Sequence, residues 1–138
     1  MILPYDDARH RAGVIDLWTR AFGYTAPHNA PARAIDAKRA MEDGLFFVCQ
    51  HETRVAGTAM AGWDGHRGWL YSIAVEPALR RQGIATRLVR HAEAALAQRG
   101  CPKINLQIVA DNAQVVAFYE SLGYAVEPRI SMGKVLPR

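Results

Sequence analysis

Ile73-Ala74-Val75-Glu76-Pro77-Ala78-Leu79-Arg80-Arg81-Gln82-Gly83-Ile84-Ala85 is the stretch on which the fold turns. It reads as a buried strand, a loop carrying two arginines and a glycine, and the opening of an amphipathic helix. After Glu76-Pro77 the period switches: Ile84, Leu88, Ala92, Ala95 and Leu96 recur at helical spacing, with Val89 beside them, as far as Gly100. The first N–H groups of a helix lack intrahelical partners and lie at the positive end of its macrodipole. Gly83 and the small Ala85 let a ligand approach the backbone, so the loop reads as an anion cradle suited to a pyrophosphate. It is not a Walker loop, since no Gly-Lys-Ser/Thr follows, and the three glycines of a dinucleotide fingerprint are missing. A solvated basic loop capping an ordinary helix explains the same residues. This segment alone leaves both open.

Upstream, residues 6–22 carry Val14, Leu17, Trp18, Ala21 and Phe22 at helical spacing. Gly23 to Pro31, with Pro27, His28 and Asn29, argues against a continuous helix. A second helix is expected over 31–43, on Ala34, Ile35, Ala37, Lys38 and Met41, stopping at Gly44. Residues 45–51 and 55–62, separated by Glu52-Thr53-Arg54, read as a β-hairpin, and 69–75 as the next strand. Between them, Asp64-Gly65-His66-Arg67-Gly68 is a turn with two glycines able to take positive φ. Downstream, 103–109 is β-like, and Val115, Phe118, Tyr119 and Leu122 mark a short helix closed by Gly123. Residues 124–126 and 130–135 are expected as final short strands. The order α α β β β α β α β β predicts an α+β fold with a mixed sheet and helices on both faces.

The 138 residues, 50% hydrophobic and 22% charged, suit one globular domain spanning 1–138. Apolar runs such as Leu45–Cys49 fall far below the roughly 20 residues of a membrane span. The N-terminus lacks the basic and apolar regions of a cleaved signal, so a cytoplasmic protein away from membranes is expected. Seventeen Lys and Arg against thirteen Asp and Glu give a net charge of +4 without a long basic run. That balance suits an anionic partner without choosing one. A nucleic-acid role ranks last, for there is no basic stripe, RNP-like aromatic pair or zinc pattern. Cys49 and Cys101 have neither disulfide-framework nor metal-ligand spacing, so reduced thiols and no metal are expected.

A second segment, Asp111-Asn112-Ala113-Gln114-Val115-Val116-Ala117-Phe118-Tyr119-Glu120-Ser121-Leu122-Gly123-Tyr124, follows a strand and opens a helix. Together the two segments resemble the GNAT superfamily of acetyl-CoA-dependent N-acetyltransferases, and the Gly62–Gly68 turn resembles a subgroup of small bacterial members. The family loop Arg/Gln-x-x-Gly-x-Gly/Ala is met by Arg80-Arg81-Gln82-Gly83-Ile84-Ala85. Its later Asn and Ala-x-x-Phe/Leu-Tyr-Glu-x-x-Gly-Phe/Tyr are met, with small changes, by Asn112 and by Ala117 to Tyr124. The likeness covers about residues 45–124.

The resemblance implies a mostly antiparallel sheet whose strands bearing Ile73 and Ile108 splay into a V-shaped cleft for the thioester. It implies that the Val75 backbone pairs with pantetheine and that the amides from Arg81 to Thr86, Ile84 and Ala85 included, hold the pyrophosphate. An N–H near Ile73 and Ala74 serves the oxyanion, Asn112 the pantetheine arm, and Tyr119 protonates the CoA thiolate. Acetyl-CoA is then the cosubstrate, and a small-molecule or peptide amine attacks it directly, in a monomer or homodimer. The base is missing from this pattern. Some peptide-acetylating relatives have glutamate where this chain has Gln107, so deprotonation through water, helped by Tyr71, Glu120 or His66, is the open alternative. Tyr71 also reads as a wall of the acceptor pocket, and Asp64, His66 and Arg67 as turn residues. Trp18, Phe22 and Tyr24 are candidates for the acceptor side, with a core role for Trp18 equally open. His10, His28, His51 and His91 read as surface or packing residues. A non-catalytic acyl-CoA-binding module is the competing function.

Overall fold

Why β4 becomes the centre of the molecule follows from its neighbours. In the computed structural model, which describes residues 1–23 and 30–137, the elements are β1 (Ile2–Pro4), α1 (Asp7–Phe22), α2 (Pro31–Met41), β2 (Phe46–His51), β3 (Arg54–Trp63), β4 (Gly68–Val75), α3 (Ile84–Gln98), β5 (Ile104–Asn105) and α4 (Ala113–Ser121), with a 3-10 turn at Pro77–Leu79. The sheet order is β1-β2-β3-β4-β5. The first three pairings are antiparallel, and β4 pairs β5 in parallel. The chain forms two compact units, residues 1–107 and 108–138.

In the first unit, helices cover both faces of the sheet. Successive strand residues point to opposite faces. On β3 the Thr58 hydroxyl meets Trp18 of α1, whereas a side chain at Gly57 would run into Leu88 and Ile84 of α3. One core joins Val14, Leu17 and Trp18 to Ile35, Phe46, Val48, Met60 and Ala74. The stripe of α3 (Ile84, Leu88, Val89, Ala92, Leu96) is buried on the other side. Trp18 is fully buried, so it is a core residue and not part of an acceptor wall; Phe22 is exposed and Tyr24 lies outside the described residues, as do Pro27, His28 and Asn29.

Differences from the sequence expectation concentrate at sheet edges. β1 is short and was not expected; it pairs with β2 through Ile2–Cys49, Leu3–Val48 and Pro4–Phe47. The hairpin closes with His51 opposite Arg54, leaving only Glu52 and Thr53 in the loop. Gly68 belongs to β4 and not to the turn; a Cβ there would stand 2.6 Å from the Cys101 sulfur. The expected strand 103–109 shrinks to Ile104–Asn105, and 124–126 and 130–135 form no strand. A strand exists only with a ladder partner, and alternating apolar residues such as Ile130 and Met132 stay exposed here.

Gly57 packs β3 against α3 with no room to spare. Its virtual Cβ lies 2.9 Å from Leu88 Cδ1 and 3.0 Å from the Ala74 carbonyl. Gly57→Ala is expected to destabilise by about 1–3 kcal/mol through overpacking, read as a lowered Tm in thermal unfolding; an unchanged Tm would contradict the packing described.

Candidate active site

The parallel pairing of β4 with β5 covers only Gly68–Ile104 and Trp69–Asn105. Beyond Trp69 the ladder stops because β5 ends at Asn105, so the second half of β4 keeps β3 on one edge and has no sheet partner on the other among the described residues. Glu76 N–H donates to the Ala56 carbonyl on β3. Backbone groups alternate between edges along a strand, so the N–H and C=O of Ile73 and Val75 face the open edge, with Ala74 turned to β3. These are the strand positions expected to contact a thioester and its pantetheine arm.

The open edge leads directly to the cradle. After the turn at Pro77–Leu79, Arg81 (φ +69°) and Gly83 (φ +76°) both adopt left-handed backbone, and α3 begins at Ile84. A left-handed residue followed by a right-handed one turns successive N–H groups toward one side, a geometry that binds anions. No side chain caps this helix, and its first turn holds no acidic residue. Nothing lies within 4 Å of a Cβ built on Gly83. The position therefore needs glycine for its φ, and the space in front of the amides is open. Arg80, Arg81 and Gln82 are exposed beside it, while Ala85 and Thr86 are half-buried.

Glu76, buried at the junction between strand and cradle, takes a forked pair of hydrogen bonds from Arg20 of α1, at 3.0 and 2.7 Å. Arg54 stands 3.8 Å from the same carboxylate. The Arg20 contact holds the Glu76 carboxyl below its ordinary value, against the opposing effect of burial. The pair fastens the end of β4 to α1.

A cleft of about 660 Å³ opens along the first unit beside β4. Its aromatic walls are Trp63, Trp69 and Tyr71, and Gln107 reaches it from the chain after β5. Lys38 forms part of its floor: the buried ammonium donates to the Ala61 carbonyl and to Asp43 (2.8 Å), and sits 5.3 Å from the Tyr71 ring centroid. Asp64 stands at the rim, its carboxylate accepting the Arg67 and His66 amides at 2.7 Å each. Those two bonds keep its carboxyl below the ordinary aspartate range, so it is ionised at neutral pH and a weak base. Tyr71 lines this cleft, and His66 remains in the exposed turn. Lys38 and Asp43 were not recognised as site residues from sequence, although a lysine in the apolar stripe with Ile35 is the signal of a buried, paired cation.

In the second unit, Asn112 caps α4, its side-chain oxygen accepting the Val115 N–H at 3.2 Å. At the other end of α4, Tyr124 N–H donates to the Tyr119 carbonyl and Gly123 N–H to that of Glu120, with Gly123 at φ +97°. This paired closure brings the residue after the glycine back onto the last turn. Tyr124 and Tyr119 accordingly meet edge to face, ring centroids 5.6 Å apart. The spacing of Tyr119, Gly123 and Tyr124 is thus a helix-ending device that fixes the Tyr119 ring. Burial pushes the Tyr119 phenol up to about 12, so it holds its proton at neutral pH. Glu120 is exposed.

A sequence model of the "Acetyltransferase (GNAT) family" matches residues 11–124. Among solved structures, the chain is similar to glucosamine-6-phosphate N-acetyltransferase from Arabidopsis thaliana, with 20% identity, 99% and 98% of the two chains covered, and TM-score 0.75. AAC(6')-Iy, in complex with the bisubstrate analog CoA-S-monomethyl-acetylneamine, is similar at 16% identity, with 99% and 98% covered and TM-score 0.78. The aminoglycoside 6'-N-acetyltransferase AAC(6')-IG from Acinetobacter haemolyticus gives 20% identity, 99% of each chain and TM-score 0.74. At these identities the likeness is one of fold: a mixed α+β architecture with a mostly antiparallel sheet.

The Glu76–Arg20 pair carries a pH signature. A carboxyl whose folded pKa is depressed adds stability above its unfolded value and loses it as pH falls through the folded one. Glu76→Gln is expected to lower Tm at neutral pH, with the gap to wild type closing as pH falls below the ordinary glutamate value of 4.5. Tm measured against pH checks this; parallel curves through the acid range would refute it.

Proposed function

The chain belongs to the acetyltransferase (GNAT) family, and on that premise we propose that it transfers the acetyl group of acetyl-CoA to a primary amine. The observation that carries this is the opened edge of β4 at Ile73 and Val75, running straight into an uncapped, left-handed helix start at Gly83. One backbone path thus offers unpaired strand amides for a pantetheine arm and helix amides for a pyrophosphate. The open space before Gly83 and the lack of a carboxylate in the first turn of α3 fit a CoA pyrophosphate there. The family match runs through both units, which supports one acetyltransferase domain over 1–138. An amine acceptor is supported by the related folds, which belong to sugar-amine and aminoglycoside N-acetyltransferases.

In the direct reaction the amine nitrogen attacks the thioester carbonyl, the C–S bond breaks, the amine loses a proton and the thiolate gains one. The Ile73 N–H stabilises the oxyanion. Arg81 to Thr86 hold the pyrophosphate and Asn112 the pantetheine arm. Tyr119, a phenol that carries its proton at neutral pH, supplies it to the thiolate. The aromatic cleft along β4 receives the acceptor. Among the described residues no free base lines it: Gln107 is a neutral amide, Asp43 is paired with Lys38 and Asp64 is held by its turn. Deprotonation therefore runs through water. Gln107 also favours a second reading, a binding module without turnover, which an acceptor screen following thiol release from acetyl-CoA separates from catalysis.

Two substitutions test the parts. Gly83→Glu is expected to weaken acetyl-CoA binding by about 2 kcal/mol more than Gly83→Ala, which shares the backbone strain but not the charge. Equal affinities by titration calorimetry would remove the cradle assignment. Tyr119→Phe keeps the ring and is expected to lower kcat by roughly a hundredfold, about 2.7 kcal/mol, with little change in acetyl-CoA affinity. Retention of more than about half of the wild-type kcat under chemistry-limited conditions would exclude the acid role.

A further inference from the structure

Across from β4, Ala59 of β3 faces two residues. Thr58 pairs with Ala74 and Met60 with Tyr71, so Ser72 and Ile73 together oppose Ala59 in a β-bulge. Bulges of this kind usually place glycine in the left-handed position, yet Ser72 holds it at φ +51°. A non-glycine residue there is strained and persists only where its surroundings hold it.

What holds it is a buried chain of hydrogen bonds. The Trp18 indole N–H donates to the Thr58 hydroxyl at 2.8 Å, and that hydroxyl donates to the Ser72 carbonyl at 2.8 Å. Both Trp18 and Thr58 are fully buried. The chain has one possible polarity, because an indole N–H only donates and a carbonyl only accepts. Trp18 occupies a lone pair of the hydroxyl and so commits its proton to Ser72. In a low-dielectric core each such bond reinforces the next. Valine at 58 would fill the same space but leave the buried Trp18 N–H and the Ser72 carbonyl without this partner, so the threonine hydroxyl serves the hydrogen-bond chain rather than packing.

The bulge sets where the next amides point. Its extra residue shifts the alternation of β4 by one, which leaves the Ile73 and Val75 N–H groups on the open edge. Building on the acetyl-transfer reading above, we propose that Thr58, oriented by Trp18, is a positioning residue that aims the Ile73 N–H at the acetyl carbonyl.

The test is isotope-edited infrared spectroscopy of acetyl-CoA labelled with carbon-13 at the thioester carbonyl. Bound to the wild-type protein, the carbonyl stretch is expected at lower frequency than in solution. In Thr58→Val most of that shift is lost and acetyl-CoA turnover falls at least about tenfold, whereas affinity for CoA, which lacks the carbonyl, stays within about twofold. Thr58→Ser retains the shift. Adding Ser72→Gly to Thr58→Val restores it, since glycine needs no support in the left-handed position. A folded Thr58→Val protein with the wild-type carbonyl frequency and only a lower Tm overturns the proposal. If Thr58→Val does not fold, Trp18→Phe carries the same comparison: a reduced shift supports the proposal and an unchanged one overturns it. A wild-type protein that binds CoA without shifting the acetyl carbonyl would instead overturn the acetyl-transfer reading itself.

Discussion

A strand inside a sheet has hydrogen-bonding groups on both edges, and β4 satisfies the second edge over only Gly68 and Trp69. That incomplete pairing leaves the Ile73 and Val75 backbone groups without a sheet partner among the described residues. Unpaired backbone amides in a folded protein seek water or a ligand. At Ile73 and Val75 they lie between a sheet that holds their strand and a helix start that offers further free amides. A cosubstrate that extends the sheet and ends in a pyrophosphate meets both needs at once.

Such an edge is useful only if it is rigid, and three different interactions fasten it. The apolar stripe of α3 packs beneath, close enough at Gly57 that no side chain fits. The Arg20–Glu76 fork ties the end of the strand to α1. The Trp18–Thr58–Ser72 chain holds the strained bulge between them. Two of these three reach back to α1, so the first helix contributes its buried face to the core and its last turn to the end of β4. Preorganisation of this sort lets backbone dipoles stabilise developing charge without moving at the moment of reaction.

The cleft beside β4 has a different character. Its aromatic walls offer area, and its fixed charges are already engaged. Lys38 is paired with Asp43 and a backbone carbonyl, and the Asp64 carboxylate accepts two amides of its own turn. A buried ammonium is tolerable only with such partners. The floor of the cleft is thus a satisfied ion pair against the face of Tyr71. The cleft therefore offers shape and the remaining lone pairs of its carboxylates more than a free charge.

Much of the architecture is written in local patterns. The stripes of Val14-Leu17-Trp18 and of Ile84-Leu88-Ala92-Leu96, the hairpin around Glu52-Thr53 and the strand through Val75 all appear where periodicity places them, because each buries one face against the core. The Arg80–Ala85 loop and the Asn112–Tyr124 helix were also legible, since capping and left-handed closure depend on residues a few positions apart. The length of β5, the absence of strands after Tyr124 and the presence of β1 were not, for pairing is decided by a distant partner. Nor was the bulge at Ser72, whose support comes from Thr58 and from Trp18, which lies 40 residues before Thr58. Lys38 in the cleft floor and Arg20 on Glu76 belong to the same class. Sequence by itself determined the helices, the three strands β2 to β4 and the motifs that mark a GNAT acetyltransferase, because those are set by short-range periodicity and backbone chemistry. Tertiary structure alone decided which amides stay unpaired and which buried polar groups hold them, because a hydrogen bond across the core has no local signature.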